Sequence, residues 1–61
     1  MENINKIKIL QDKIMQWTEM QNWALDLYMG KQISKEEYKG RCDSLQEDIE
    51  GFKKEVHRLA N

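Results

Sequence analysis

The chain has no proline, three glycines, one cysteine and one histidine in 61 residues. Each scarcity excludes something. Without proline, nothing in the sequence forces a break in a long helix. A single thiol, Cys42, cannot form an internal disulfide, so a reducing cytoplasm is the expected compartment. The lone histidine, His57, would stand about four helical turns from Cys42, too far to share a metal ion with it. Charge of one sign is missing too: ten basic residues stand against eleven acidic ones, for a net charge of −1. That balance gives no global attraction to nucleic acid or to an anionic membrane. No apolar run approaches the roughly 20 residues of a membrane span. No charged start followed by an apolar stretch marks a signal peptide. The expectation is a soluble, cytoplasmic protein without cofactor or metal.

What is present favours helix. Charged residues make up 34% and hydrophobic residues 39%, in a mixture rich in Glu, Lys, Gln, Leu and Ile. The apolar residues are periodic rather than sparse, which argues against disorder. A chain of this size makes one small unit, 1–61, below the length at which a single core is comfortable.

The punctuation lies mid-chain. Gly30 follows a long periodic stretch and is expected at the left-handed position that closes a helix. In "SKEEY", Ser34 can cap the third helical amide and Glu37 completes a capping box, with Ile33 and Tyr38 spaced as a hydrophobic staple. Glu36 and Glu37 suit the positive end of the second helix, and Lys53, Lys54 and Arg58 its negative end. The pattern predicts helices over about 4–29 and about 35–59, joined by a turn at 30–34.

The second helix carries one unbroken heptad stripe: Tyr38, Cys42, Leu45, Ile49, Phe52, Val56 and Leu59. The best matching stripe on the first is Ile7, Leu10, Ile14, Trp17, Gln21, Ala24 and Tyr28. Folded back at the turn, the stripes align. Ile7 faces Leu59, Leu10 faces Val56, Ile14 faces Phe52 and Trp17 faces Ile49. Gln21 faces Leu45 as a polar register device, Ala24 faces Cys42, and Tyr28 faces Tyr38. The fold class is all-α, an antiparallel two-helix coiled-coil hairpin. In that seam Cys42 is a small buried hydrophobe rather than a nucleophile. His57 falls outside the seam, as a solvated residue near a helix end.

The stretch "QWTEMQNWALDLYMG" (16–30) holds more apolar residues than the seam can use. Trp17 and Trp23 are six apart, roughly 240° around a helix, so they cannot share a face. Trp17 belongs to the seam. Met20, Trp23 and Leu27 form a second stripe about 100° away, with Ile9 aligned further down. Ile4, Met15, Leu25 and Met29 add apolar surface on the opposite flank. Small domains recover stability by oligomerising. The surplus stripe is therefore read as a partner-binding face, for a second copy in a four-helix-bundle dimer or for another protein. Tryptophan and methionine are enriched at interface centres, and Trp23 is the expected hot spot.

Other features point to no catalysis. Gly30, Gly40 and Gly51 are isolated and make no phosphate loop. Gly40 and Gly51 fall on the outer face of the second helix, where each costs about 1 kcal/mol relative to alanine. They either permit close approach of a partner backbone or are tolerated, and tolerance is the reading preferred from sequence. Lys6, Lys8 and Lys13 lie near Lys53, Lys54 and Arg58 at the open end, a cluster that could touch phosphates but is diluted by Asp12 and Glu55. Asp43, Glu47, Asp48 and Glu50 form an acidic middle on the second helix, a possible electrostatic contact for a basic site on a nucleic-acid enzyme. A solvated surface is the preferred account of both clusters.

The segment 27–56, "LYMGKQISKEEYKGRCDSLQEDIEGFKKEV", resembles the coiled-coil motif of large serine recombinases. The matching residues are Tyr28, Gly30, Ile33, Ser34, Glu36, Glu37 and Tyr38. The catalytic serine domain and zinc-binding cysteines of that family are missing. The resemblance implies a hairpin that docks against another helical hairpin, not DNA cleavage. The function expected is a small non-catalytic interaction module that pairs with itself and with another protein. The alternative is a phage- or mobile-element-encoded inhibitor or modulator of a recombinase or nuclease.

Overall fold

The computed structural model describes residues 2–61, with side chains from Asn3 onward; Met1, counted in the single expected unit, lies outside the described residues. Two helices make up the fold, α1 (Glu2–Met29) and α2 (Lys35–Ala60), packed against each other along their length. No strand occurs among the described residues. The chain measures 46 × 14 × 9 Å, with a radius of gyration of 14.1 Å. A compact globule of this length would have about 10.5 Å. The molecule is a rod two helices wide.

The start of α2 is set by its cap. Ser34 has extended backbone (φ −75°, ψ 166°), and its Oγ accepts the Glu37 N–H at 3.1 Å. Among the described residues the reciprocal bond from the Glu37 side chain does not form, so the capping box is half made. Acidic Glu36 and Glu37 occupy the first turn, while His57 and Arg58 occupy the last. Asn61 closes the helix, its N–H donating to the His57 carbonyl at 3.2 Å.

The end of α1 departs from the sequence expectation. Gly30 is not left-handed; the positive φ belongs to Lys31, at 61°. Lys31 N–H donates to the Tyr28 carbonyl (3.0 Å) and Gln32 N–H to the Leu27 carbonyl (2.8 Å), the bonding pattern of a Schellman motif with Lys31 at its left-handed position. Gly30 sits one residue earlier and still makes the helical bond to Asp26, at 2.9 Å. The hydrogen bonds decide where the reversal falls.

The seam is where the helices meet. Its members on both helices are buried or half-buried, but Ala24 and Ile49, each 3% exposed, are the buried hydrophobic residues. Tyr28 and Tyr38 stack beside the turn, with centroids 4.9 Å apart and planes at 12°. Trp17 meets Phe52 edge-on at 5.2 Å and 89°, so its aromatic partner lies one turn beyond the expected Ile49. Gln21 does not simply face Leu45. Its Nε2 donates to Gln46 Oε1 at 3.0 Å, bridging the helices at the edge of the seam.

Two substitutions test the turn. Lys31→Gly relieves a side chain held in the left-handed region and should stabilise the hairpin by about 0.5–1 kcal/mol in urea unfolding. Ser34→Ala should destabilise it by about 1 kcal/mol. A neutral or destabilising Lys31→Gly would place the reversal elsewhere.

Candidate interaction face

The surplus stripe of α1 is exposed. Trp23 is 63% exposed, Ile9 56% and Met20 46%, while Leu27 is half-buried. Met20 and Trp23 do not stand on a flat surface. With Ala24 they form one wall of a groove of about 440 Å³, whose other wall is Gly40, Arg41, Ser44 and Leu45 of α2. A Cβ built at Gly40 would meet nothing within 4 Å, so this part of α2 is an open shelf beside the indole. Ile9 is remote from Trp23, near the open end. It lines a second groove of about 250 Å³ with Lys6, Leu10, Glu55 and Leu59.

The opposite flank carries exposed apolar residues as well: Ile4, Met15, Leu25 and Met29. There the neighbouring positions of α2 are charged or polar, including Lys39, Gln46 and Lys53. The Trp23 side differs in setting large apolar side chains across from a gap at Gly40 and Ser44, which Arg41 and Leu45 border.

The acidic residues divide. At about 100° per residue, Asp43, Glu47 and Glu50 fall within roughly 60° of one another on the outer flank of α2, while Asp48 turns toward α1. Asp48 Oδ2 accepts the Trp17 indole N–H at 3.0 Å. That bond ties a seam aromatic to the second helix and removes Asp48 from the acidic patch. The sequence shows the indole and the carboxylate but not the stagger that joins them. The side chain of Lys13, its Nζ 5.8 Å from the Phe52 ring centroid, covers the same aromatic cluster from α1.

At the open end Glu55 and Arg58 form a two-pronged ion pair, with Arg58 Nε donating to Glu55 Oε2 at 3.0 Å and Nη2 to Oε1. The Arg58 hydrogen bond, more than its charge or that of Lys6, holds the Glu55 carboxyl below its ordinary value of 4.5. Arg58 is raised in turn. Beside the turn, the Tyr38 hydroxyl is pushed up from 10.0, first by its hydrogen bond with Cys42 and then by desolvation. Cys42 is half-buried and free. His57 Nε2 lies 3.0 Å from Asn61 Nδ2 on the exposed surface. Among the described residues, no three His, Cys, Asp or Glu side chains gather as a metal site, and no helix is long and apolar enough to cross a membrane.

Comparison of the chain with protein-family models, curated proteins and solved structures finds no match.

The Glu55–Arg58 pair makes a pH-dependent contribution. A lowered carboxylate pKa stabilises the fold above the ordinary value of 4.5, and the contribution is lost as the pH falls through the lowered one. Carboxyl NMR should show Glu55 titrating below 4.5, and Arg58→Gln should return its midpoint toward the ordinary value. An unchanged midpoint in the variant would assign the shift to another neighbour.

Proposed function

We propose that the chain is a non-catalytic interaction module that pairs with a second copy of itself through the face around Met20, Trp23 and Leu27. The observation that carries this reading is a tryptophan 63% exposed at the lip of an apolar groove. Leaving that much indole in water forfeits most of the gain of burying an aromatic, and such residues are enriched at interface centres.

The surface area supports a partner of standard size. The folded chain exposes 5047 Å². A compact monomer of 7.4 kDa would expose about 4,200 Å², leaving an excess of roughly 800 Å². One side of a standard interface buries about 800 Å². A second identical rod, laid along the first to make a four-helix bundle, meets that requirement with no further component. The likeness of residues 27–56 to the recombinase coiled coil points the same way, toward a hairpin that docks on a hairpin. The single half-buried thiol suits a reducing, cytoplasmic setting.

A second reading rests on the acidic flank. Asp43, Glu47 and Glu50 are exposed together on the outside of α2, with Glu47 nearest the Gly40–Ser44 shelf and Asp43 and Glu50 farther around. In a self-paired module Asp43 and Glu50, on the side of that patch farther from the shelf, stay open to a basic site on a further protein, such as a nucleic-acid enzyme that the module modulates.

Sedimentation equilibrium tests the self-pairing. Wild type should be a dimer at micromolar concentration. Trp23→Ala should weaken dimerisation by about 30-fold or more, the level of an interface hot spot. Circular dichroism should show helix lost as the dimer dissociates. A wild-type chain that stays monomeric and helical across the concentration range would overturn the proposal.

A further inference from the structure

The Trp23 face has a polarity along the rod and a division across it, and together they select one arrangement of two copies. Along the rod, the half beside the turn is mainly apolar: Met20, Trp23 and Leu45 line the groove with the shelf at Gly40 and Ser44 and one charged residue, Arg41, and Leu27 stands half-buried beyond Trp23. The half toward the open end is mixed: Lys6 and Glu55, the latter paired with Arg58, line the second groove with Ile9, Leu10 and Leu59. Across the rod, Met20 and Trp23 stand on α1, and α2 leaves a gap at Gly40 and Ser44, bordered by Arg41 and Leu45. Trp23 and the Gly40–Ser44 shelf are at the same height, because they line one groove.

A face-to-face pair of hairpins has two simple two-fold arrangements. An axis crossing the rods lays α1 on the second copy's α1 with the turns at opposite ends. Met20 and Trp23 then meet their own copies, the shelf meets a shelf, and over a full overlap the mainly apolar half meets the half that holds Lys6, Glu55 and Arg58. An axis parallel to the rods lays α1 on the second copy's α2 with both turns at the same end. In that arrangement Trp23 comes down at the height of Gly40 and Ser44, where a Cβ at Gly40 would find open space. Ile9 likewise comes down at the height of the second groove, and the apolar halves coincide.

We infer that, within the self-pairing proposed above, the two copies are related by an axis parallel to the hairpin, with turns at the same end and Trp23 of each seated over Gly40 and Ser44 of the other. Gly40 then has a purpose that the isolated hairpin does not give it. It lets an indole approach the α2 backbone at the centre of the interface.

The test is a distance between turns. Gln32→Cys in a Cys42→Ala background, first shown to dimerise as wild type does, is spin-labelled and measured by double electron–electron resonance. Turns at the same end place the labels within about 25 Å, the helix spacing plus two linkers. Turns at opposite ends place them near the 46 Å length of the rod. The short distance is expected, and the long one overturns this arrangement while leaving self-pairing intact. A labelled chain that is monomeric, like its wild-type parent, removes the reading on which it rests. Gly40→Leu gives an independent check: filling the shelf should weaken dimerisation at least 10-fold even though leucine is the better helix former. Unchanged dimerisation of Gly40→Leu overturns the seat assigned to Trp23.

Discussion

Everything in this molecule follows from its having one contact line. Two helices touch along a single seam, and a residue on that seam has neighbours on one side only. A third helix would give each seam residue a second wall. Among the described residues there is none, and burial comes nearest to complete where a small or branched side chain lies deepest, at Ala24 and Ile49, each 3% exposed. The larger members keep an edge in water. The hairpin is stabilised by a strip of half-buried side chains, not by a closed core.

That constraint explains why the edges of the seam are so heavily used. Trp17 packs edge-on against Phe52 and donates its indole N–H to Asp48, so both its apolar body and its polar handle are engaged by α2. Gln21 and Gln46 reach across at the next level. The Tyr28–Tyr38 stack closes the end beside the turn. The ring contacts lie within the seam, while the Trp17–Asp48 and Gln21–Gln46 bonds join α1 to α2 at its exposed edges. Toward the free ends the Glu55–Arg58 pair lies within one helix, so it does not fasten the two together. The hairpin is best tied where it turns.

Much of this was legible in the letters. The heptad stripe on α2 is bounded by polar residues on both sides, which leaves one register for it and one partner stripe on α1. The Ser34 cap was legible because a hydroxyl three residues before a glutamate has few other uses at a helix start. The close of α1 was not. Glycine is the usual left-handed residue, yet the reversal falls on Lys31 because the bonds from Lys31 to Tyr28 and Gln32 to Leu27 set the helix end one residue later. The role of Asp48 was hidden as well. Reading it required the stagger between helices, which shifts Trp17 toward Asp48 and Phe52. Met20 and Trp23 were legible as surplus, but the shelf opposite them needed both helices in place.

The groove makes Gly40 the informative residue of α2. A glycine in an exposed helix interior weakens that helix by about 1 kcal/mol relative to alanine. Nothing within the chain crowds the position, so the single hairpin would be more stable with almost any side chain there. Gly51 is equally open on the same helix, farther from Trp23. A fold this short of buried area has little reason to carry two such weak points for its own sake. What distinguishes Gly40 is its neighbour: the largest exposed side chain in the molecule stands across the groove from it. An indole that the chain cannot bury and a gap that it does not fill lie at one height on one face. They are a knob and a socket turned outward, and rotation about the length of the rod joins them.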